Sequence, residues 1–249
     1  MKFEQVIAAR ATKTVYRDGD RCVKVFDDSY SKANVLNEAL NQAHVEETGL
    51  HVPAVLEVGP VDGHWAIVSQ YISGKTLARL MEEQPEKKAE YLELLVDLQL
   101  TVHSKSSRRL HTMRNAMERK IMTSELDAVT RYDLHAQLED IPKHRKLCHG
   151  DFQPANIIIS DDGVPYILDW SHATQGNGSA DAAQTWLLMR LGGDEEGARA
   201  YLDLFSQKSG TEKKYIQLWM PVVAAARLNT AGEGEREFLL RVIEAEIRE

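Results

Sequence analysis

The stretch from 147 to 170, LCHGDFQPANIIISDDGVPYILDW, combines acidic and amide side chains with two short apolar runs. The isoleucines at 157–159 are typical of a short buried strand. The sequence DDG at 161–163 predicts a hairpin turn, because Asp and Gly tolerate the positive φ that such turns need. A second short strand at 166–168 completes the predicted hairpin.

Three polar side chains border this hairpin. Asn156 precedes the first strand, Asp169 follows the second, and Asp151 lies in the turn before both. We expect them at the mouth of the hairpin, facing a common space. Mg²⁺ prefers oxygen ligands, which Asn156 and Asp169 can supply. Asp151 can then accept the proton of an attacking hydroxyl and direct that hydroxyl at a γ-phosphate. The pattern predicts phosphoryl transfer from a magnesium nucleotide.

The motif HGDxxxxN, followed by an aspartate after two short strands, resembles that of the aminoglycoside phosphotransferase and choline kinase-like family. Protein kinases carry H-R-D-x-x-x-x-N and D-F-G at the corresponding places. Gly150 in place of the arginine, and Trp170-Ser171 in place of Phe-Gly, favour the small-molecule branch. The resemblance implies an α+β, bilobal protein-kinase-like fold. A small antiparallel-sheet N-lobe would sit on a mainly helical C-lobe, with the nucleotide between them.

The same resemblance implies two supporting residues for the catalytic loop. His149 would hold the loop rather than act as a base. Asp181 would cap the following helix and buttress the loop, the alternative being a cap with no link to the site.

The composition is that of an ordinary globular protein of 249 residues, with 43% hydrophobic and 27% charged residues. A net charge of −8 disfavours a general nucleic-acid or anionic-membrane surface. Cys22 and Cys148 are too few for a disulfide framework and lack metal-ligand spacing. Neither a signal peptide nor a transmembrane run is evident. We therefore expect a cytoplasmic protein with a small-molecule partner and leave its oligomeric state open.

The first third of the chain predicts a strand-rich lobe. In the run CVKVF at 22–26, Lys24 points away from the face of its two valine neighbours. A lone strand lysine is usually solvated, but the resemblance implies that Lys24 holds the α- and β-phosphates. Its partner would be Glu38, on a predicted helix over 31–47 that ends near Gly49. An exposed helix glutamate is the alternative.

The predicted helix over 31–47 has an apolar stripe, and Glu38 lies on its border. The stripe comprises Val35, Leu36, Ala39, Leu40 and Ala43.

The expected phosphate-covering loop at 8–14 contains no glycine, although related enzymes place glycines there so that backbone N–H groups can approach the nucleotide. Thr12 could offer a hydroxyl and an amide to phosphate, and Arg10 or Lys13 a charge. The chain also lacks G-x-x-x-x-G-K-[ST], which excludes a P-loop nucleoside triphosphatase by motif.

Two further strands are predicted at 54–58 and 65–71. The segment after them resembles the hinge of the family, which implies that the Gln70 carbonyl and the Ile72 amide contact the adenine edge. The N-terminal nucleotide-binding lobe would span 1–72 and the catalytic, acceptor-binding lobe 73–249.

Helical periodicity dominates the second lobe. His103, at the end of one such helix, is expected to be structural. The predicted helices cover 89–103, 108–129, 134–138, 182–191, 195–205, 213–228 and 235–247.

The function predicted is ATP-dependent phosphorylation of a small-molecule hydroxyl, with GTP as a second possible donor and Mg²⁺ as cofactor. The acceptor stays open between an aminoglycoside and another metabolite such as choline or a sugar, because a fold does not fix a substrate. A nucleotide-binding regulatory module without turnover is the alternative. The glycine-free loop supports it weakly, whereas the retention of every catalytic polar residue argues against it. A protein kinase is disfavoured by the absence of an Ala-Pro-Glu signature.

Overall fold

The computed structural model describes residues 3, 5–10 and 12–247. The chain forms two compact units. The first contains the residues up to Glu83 together with Pro154–His172, and the second contains Gln84–Gln153 and the residues from Ala173 onward. The predicted lobes, 1–72 and 73–249, stay a prediction. No helix in the described ranges combines the length and the apolar character that crossing a bilayer requires.

The elements follow one another from strands to helices along the chain. The first half contains β1 (Gln5–Ala9), β2 (Lys13–Asp18), β3 (Arg21–Phe26), α1 (Lys32–Glu46), β4 (Val55–Val61), β5 (His64–Gln70), β6 (Gly74–Thr76), α2 (Leu77–Glu83), α3 (Lys88–His103) and α4 (Met113–Met122). The second half contains α5 (Ala128–Asp140), β7 (Lys146–Cys148), β8 (Ile157–Ser160), β9 (Pro165–Ile167), β10 (Thr174–Gly176), α6 (Gly178–Leu191), α7 (Glu195–Ser209), α8 (Lys213–Gln217), α9 (Met220–Leu228) and α10 (Glu233–Ile247).

The first unit contains the predicted antiparallel sheet, with strand order β1-β2-β3-β5-β4. The β4–β5 connection is a two-residue turn in which Asp62 and Gly63 have φ of 48° and 89°. Two consecutive positive φ values match the twist of a hairpin. A second, three-stranded sheet of order β6-β8-β9 completes this unit, together with α1 and α2. The five-stranded sheet is the antiparallel sheet that the prediction placed in the N-terminal part of an α+β fold.

Helix α1 packs on one face of the large sheet. Val35 and Ala39 contact the buried Phe26 and Ile67 of β3 and β5. At the start of α1, the Ser31 side chain accepts a hydrogen bond from the Asn34 N–H and so caps the helix. The helix therefore has one apolar anchor on the sheet and a defined beginning.

The predicted apolar stripe of α1 is wrong in part. Leu36 and Leu40 are 43% and 53% exposed, whereas Glu38 and Asn41 are only 3% and 5% exposed. The physical reason is that both buried polar side chains have hydrogen-bond partners inside the unit, described below. These bonds compensate for the burial of polar groups, and the helix turns its leucines outward.

Helices α6 and α9 are at the centre of the second unit. Both are buried on nearly all sides, as expected for helices inside a helical core. Their small side chains allow close packing of the two backbones. The buried residues include Ala180, Ala182, Ala183, Leu187, Val222, Val223, Ala224 and Ala225.

Two predicted helices are interrupted. The helix predicted over 108–129 is restricted to α4, and Asp127 caps the separate helix α5 by accepting hydrogen bonds from the Val129 and Thr130 N–H groups. The helix predicted over 213–228 is divided at Leu218 into α8 and α9. Apolar periodicity alone does not show these breaks, but Asp127 before α5 and Pro221 at the start of α9 are helix-start signals that the prediction overlooked.

Candidate active site

Strands β8 and β9 form the predicted hairpin. Ile157 pairs with Ile167, and both side chains are buried. The Leu168 N–H donates to the Asn156 carbonyl oxygen at 2.8 Å. This bond closes the open end of the β8–β9 hairpin. Asn156 and Asp169 therefore flank the mouth of the hairpin, as their spacing predicts.

Asp169 adopts a left-handed backbone conformation, with φ of 58°. Aspartate enters this region more readily than most residues. The conformation still costs about 1–3 kcal/mol, which contacts with the surroundings must offset. Two lysines lie against its side chain. The Lys24 Nζ is 3.4 Å from Oδ1, and the Lys13 Nζ is 3.2 Å from Oδ2. The carboxylate is therefore bracketed by two cations.

Lys24 also contacts the glutamate that was predicted to hold it. Its Nζ lies 2.6 Å from Glu38 Oε1, and the Tyr30 hydroxyl donates to Glu38 Oε2 at 3.3 Å. Burial alone would lower the pKa of Lys24, but the charges of Asp169 and Glu38 outweigh it and raise that pKa. Burial and the Glu38 charge also raise the pKa of Tyr30 to about 12. Lys24 is thus a fixed cation between two carboxylates.

A second buried polar residue of α1 reaches the segment after Asp169. The Asn41 Nδ2 donates to the Ser171 carbonyl oxygen at 3.2 Å. Glu38 and Asn41 are three positions apart and share a helix face. The helix is therefore linked to Asp169 through Lys24 and to the following residues through Asn41. Sequence reasoning missed Asn41, although its spacing from Glu38 was a usable signal.

The connection between β1 and β2 is held by backbone bonds. The Arg10 N–H donates to the Lys13 carbonyl oxygen at 2.8 Å, and the Asp27 N–H donates to the Thr12 carbonyl oxygen at 3.0 Å. A pocket of about 270 Å³ borders this connection and the neighbouring ends of β3 and β5. It is lined by Arg10, Thr12, Lys13, Thr14, Tyr16, Val25, Phe26, Asp27 and His64.

The second unit contains the HGD turn. His149 is fully buried, and Gly150 has φ of 79°, a left-handed conformation that glycine adopts without penalty. The Asp151 N–H donates to the His149 Nδ1 at 3.2 Å. The Gln153 Nε2 donates to Asp151 Oδ1 at 3.0 Å. The side chain of Asp151 is therefore oriented by a neighbour two residues away.

Asp181 bonds to this turn, but it does not cap its helix. Helix α6 begins earlier than predicted, and Asn177 is its cap. The Asp181 carboxylate accepts from the Gly150 N–H at 2.7 Å and from the His149 N–H at 3.2 Å, with the His103 ring 2.9 Å away. Burial would raise the pKa of Asp181, but these hydrogen bonds and the His103 charge together lower it. Asp181 is a buried acceptor for two consecutive amides of the loop.

Further polar groups buried beside Asp181 extend this support. The Gln99 Nε2 donates to Thr185 Oγ1 at 3.1 Å, and the Tyr201 hydroxyl donates to Gln99 Oε1 at 2.5 Å. The Thr185 hydroxyl lies 2.9 Å from the Phe152 carbonyl oxygen and donates to it. Three helices therefore fix the backbone around Asp151. Sequence reasoning missed this network, because single polar residues on helices are usually solvated.

The predicted hinge residues lie at the end of β5. The Gln70 N–H donates to the Ala54 carbonyl oxygen at 2.9 Å, and the Tyr71 N–H donates to the Asp20 carbonyl oxygen at 2.8 Å. Ile72 is 7% exposed. The adenine contacts assigned to Gln70 and Ile72 remain predictions.

The donor set at the hairpin mouth fits a magnesium ion. Asn156 and Asp169 offer amide and carboxylate oxygens, the ligand type that this hard cation prefers. The Lys13 ammonium group already lies at Asp169 as a stand-in cation.

Another group of metal-ligating side chains among the described residues, His103, Cys148 and Asp181, is fully buried and mixes nitrogen, sulfur and oxygen. It does not suit magnesium, and Asp181 there already accepts the loop amides.

Comparisons with known proteins identify a family and similar folds. The model of the phosphotransferase enzyme family matches residues 5–215. A choline/ethanolamine kinase family protein from Mesorhizobium loti is 16% identical, with 96% of this chain and 87% of that chain covered and a TM-score of 0.64. Choline kinase LicA from Streptococcus pneumoniae is 16% identical, with 98% and 94% covered and a TM-score of 0.65.

A third similar structure is a thermostable mutant of aminoglycoside phosphotransferase APH(4)-Ia in ternary complex with AMP-PNP and hygromycin B. It is 14% identical, with 98% of this chain and 92% of that chain covered and a TM-score of 0.71. The search of curated proteins gave no match.

The fold and the family match define a small-molecule phosphotransferase with a protein-kinase-like fold. The chain belongs to the phosphotransferase enzyme family, whose model covers most of its length.

Proposed function

We propose that the protein transfers the γ-phosphate of ATP, with GTP as the alternative donor, to a hydroxyl group of a small molecule. The observation that carries this proposal is the contact of Lys24 with both Glu38 and Asp169, at 2.6 and 3.4 Å. In phosphoryl transfer, positioning and charge neutralisation supply most of the catalysis. A partly buried cation fixed beside a carboxylate that would bind the metal supplies both.

The first unit would bind the nucleotide. Lys24 would contact the α- and β-phosphates, with Glu38 holding its ammonium group in place. Asn156 and Asp169 would hold Mg²⁺, which when bound neutralises charge on the β- and γ-phosphates. The left-handed backbone of Asp169 supports this role, because strained conformations are often kept at functional sites.

Three further residues would complete nucleotide binding. The Gln70 carbonyl and the Ile72 amide would hydrogen-bond the adenine edge, and Thr12 would lie near the phosphates. Support for Thr12 comes from its place in the β1–β2 connection, directly before Lys13, whose ammonium group contacts Asp169.

Asp151 would orient the acceptor hydroxyl and take its proton as the new bond to phosphorus forms. His149 and Asp181 would act as positioning residues that hold the loop backbone. The hydrogen bonds of Asp181 to two loop amides support that assignment, as does the orientation of the Asp151 side chain by Gln153. The proposed functional lobes remain 1–72 and 73–249, and Asn156 and Asp169 then belong to the catalytic lobe although their hairpin lies in the first compact unit.

The acceptor would be a hydroxylated small molecule rather than a nucleic acid or a membrane, and the enzyme would work in the cytoplasm. One similar structure is a choline kinase, another is a choline/ethanolamine kinase family protein, and the third contains hygromycin B. Choline, ethanolamine and hygromycin B share an alcohol group. The formal charge of −8 suits a cationic acceptor of either kind.

A panel of acceptors tests the proposal. Aminoglycosides, choline, ethanolamine and sugars would each be incubated with the enzyme, Mg²⁺ and ATP or GTP, and acceptor-dependent nucleoside diphosphate release would be measured. Asp151→Asn is the matched control. We expect it to bind nucleotide like the wild type and to lose about 10²–10⁴-fold in transfer rate.

Each outcome of this assay has a distinct meaning. Nucleotide binding with no release for any acceptor would support the regulatory module instead. Full turnover by Asp151→Asn would remove Asp151 from the reaction, and failure to bind any nucleotide would refute the proposed function.

A further inference from the structure

We propose that Lys13 is a second phosphate-binding lysine, which rests on Asp169 in the absence of metal and turns to the nucleotide phosphates when the metal occupies that carboxylate. This inference rests on the proposed function, because it assigns a residue to the same nucleotide site. In this role, Lys13 replaces the backbone contacts that a glycine-rich loop would provide.

The position of Lys13 in the sheet supports this role. It is the first residue of β2, directly after the β1–β2 connection, and it pairs with Phe26 of β3. Two positions along the same register, Val15 pairs with Lys24. Directly paired residues of antiparallel strands share a face of the sheet. Lys13 and Lys24 therefore project from the same face, and both reach Asp169.

The charges in this cluster are balanced without a metal. Lys13 and Lys24 carry two positive charges, and Asp169 and Glu38 carry two negative charges. Lys24 has Glu38 as a second partner at 2.6 Å, so it stays anchored when Asp169 is engaged elsewhere. A divalent cation at Asp169 repels Lys13 about twice as strongly as a monovalent ion would. Lys13 is thus the cation that has to leave.

The destination of Lys13 follows from the loop chemistry. The sequence from Ala8 to Thr14 contains no glycine, and the Arg10 N–H is already bonded to the Lys13 carbonyl oxygen at 2.8 Å. That amide cannot also donate to a phosphate with the same geometry. The lysine side chain has a flexible four-carbon stem and three donors, so its ammonium group can move while the strand stays fixed.

The test measures the affinities for Mn²⁺ and for Mg²⁺–ATP, which the proposal predicts to change in opposite directions when Lys13 is substituted. The dissociation constant of Lys13→Met for Mn²⁺ alone would be compared with that of the wild type, using the paramagnetic signal of free Mn²⁺. The dissociation constants of the two proteins for ATP in the presence of Mg²⁺ would then be compared by calorimetry. Lys13→Arg preserves the charge. Lys208→Met, in an exposed ion pair of α7 with Glu93 and Asp97, is the matched lysine control.

We expect Lys13→Met to bind Mn²⁺ about threefold more tightly, because a partly buried ion pair no longer competes for Asp169. We expect it to bind Mg²⁺–ATP about tenfold more weakly, because a charge-assisted contact is lost. Lys13→Arg should stay within about threefold of the wild type for ATP, and Lys208→Met should change neither constant. Thermal melting would verify that each variant is folded.

If Lys13 were purely structural, its substitution would weaken the binding of both Mn²⁺ and Mg²⁺–ATP. If Lys13 were not involved, its substitution would change neither affinity. Either result, or tighter ATP binding by Lys13→Met, overturns the inference. If the wild type itself binds no Mg²⁺–nucleotide, the proposed function fails instead, and the two failures are distinguished.

Discussion

The Asp181 carboxylate accepts hydrogen bonds from the backbone N–H of Gly150, at 2.7 Å, and of its neighbour His149. Two consecutive amides aimed at one buried acceptor fix the plane of the peptide between them. Because Asp151 follows directly, its backbone position depends on a side chain 30 residues further along the sequence.

We therefore expect Asp181→Ala to lose activity and stability together. The buried His149 N–H and the partly buried Gly150 N–H would lose their acceptor, at a cost of no more than about 1–3 kcal/mol each. Asp181→Asn offers a single carbonyl oxygen and should retain part of both properties. Chemical denaturation and kcat measurements check this. Asp194→Asn, at a partly exposed cap, is the control. Wild-type kcat in Asp181→Ala would contradict the positioning role.

The Glu38 charge should be visible in the titration of its neighbour. Burial and Glu38 raise the pKa of Tyr30 to about 12, from an ordinary value of 10.0. Glu38→Gln removes the negative charge that disfavours the phenolate, so the pKa of Tyr30 should fall toward 10.0. It should stay above that value because burial, the larger cause, remains.

The measurement is the pH dependence of the Tyr30 ring carbon shift by NMR, with the signal assigned by its loss in Tyr30→Phe. The same Glu38→Gln variant should bind Mg²⁺–ATP about tenfold more weakly, since Lys24 loses a close ionic partner. An unchanged Tyr30 titration would mean that the two side chains do not interact in solution.

Parts of this site follow from local rules in the sequence. The hairpin depends on the apolar runs and on the DDG turn, and the direction of Lys24 depends on strand alternation. Such features need only neighbouring residues. The kinase-like class followed from the motif spacing, and the match of the family model agrees with it.

Other parts depend on partners that are distant in the chain. Lys13 contacts Asp169 across 156 residues, and the side chain of Gln99 is held by Thr185 and Tyr201. Burial of such polar groups is favourable only because those partners are present. Hydrophobic periodicity does not show these partners, which is also why part of the buried face of α1 was assigned incorrectly.

Gly74, the first residue of β6, should tolerate no side chain. A Cβ there would lie 2.1 Å from the Ile159 carbonyl oxygen and 2.7 Å from the Ser160 Cα, and φ is 154°. Backbone atoms cannot move aside easily, so Gly74→Ala should destabilise the protein by about 2–3 kcal/mol.

Gly232→Ala is the matched control, because a Cβ at that position meets no atom within 4 Å. It should stay within about 0.5 kcal/mol of the wild type. Denaturant unfolding of both variants gives the comparison. Equal stabilities would show that β6 does not pair with β8 as closely as the structure has it.

The last prediction uses a thiol as a reporter of nucleotide binding. Cys22 lies two residues before Lys24 on β3 and therefore on the same face of the strand. It is half-buried, and burial raises the pKa of its thiol, so it should react slowly with an alkylating reagent, and faster as the pH rises. Cys148 is fully buried and should remain unmodified in the folded protein.

We expect ATP with Mg²⁺ to protect Cys22. At a nucleotide concentration ten times Kd, about one protein in eleven has an empty site, so alkylation should slow about tenfold. Mg²⁺ alone should give little protection, because the metal would lie at Asp169 rather than over the thiol. Cys22→Ser should leave no reactive thiol in the native protein. Mass spectrometry of the alkylated peptide measures the rates. A rate unaffected by saturating nucleotide would show that the nucleotide does not bind on this face of the sheet.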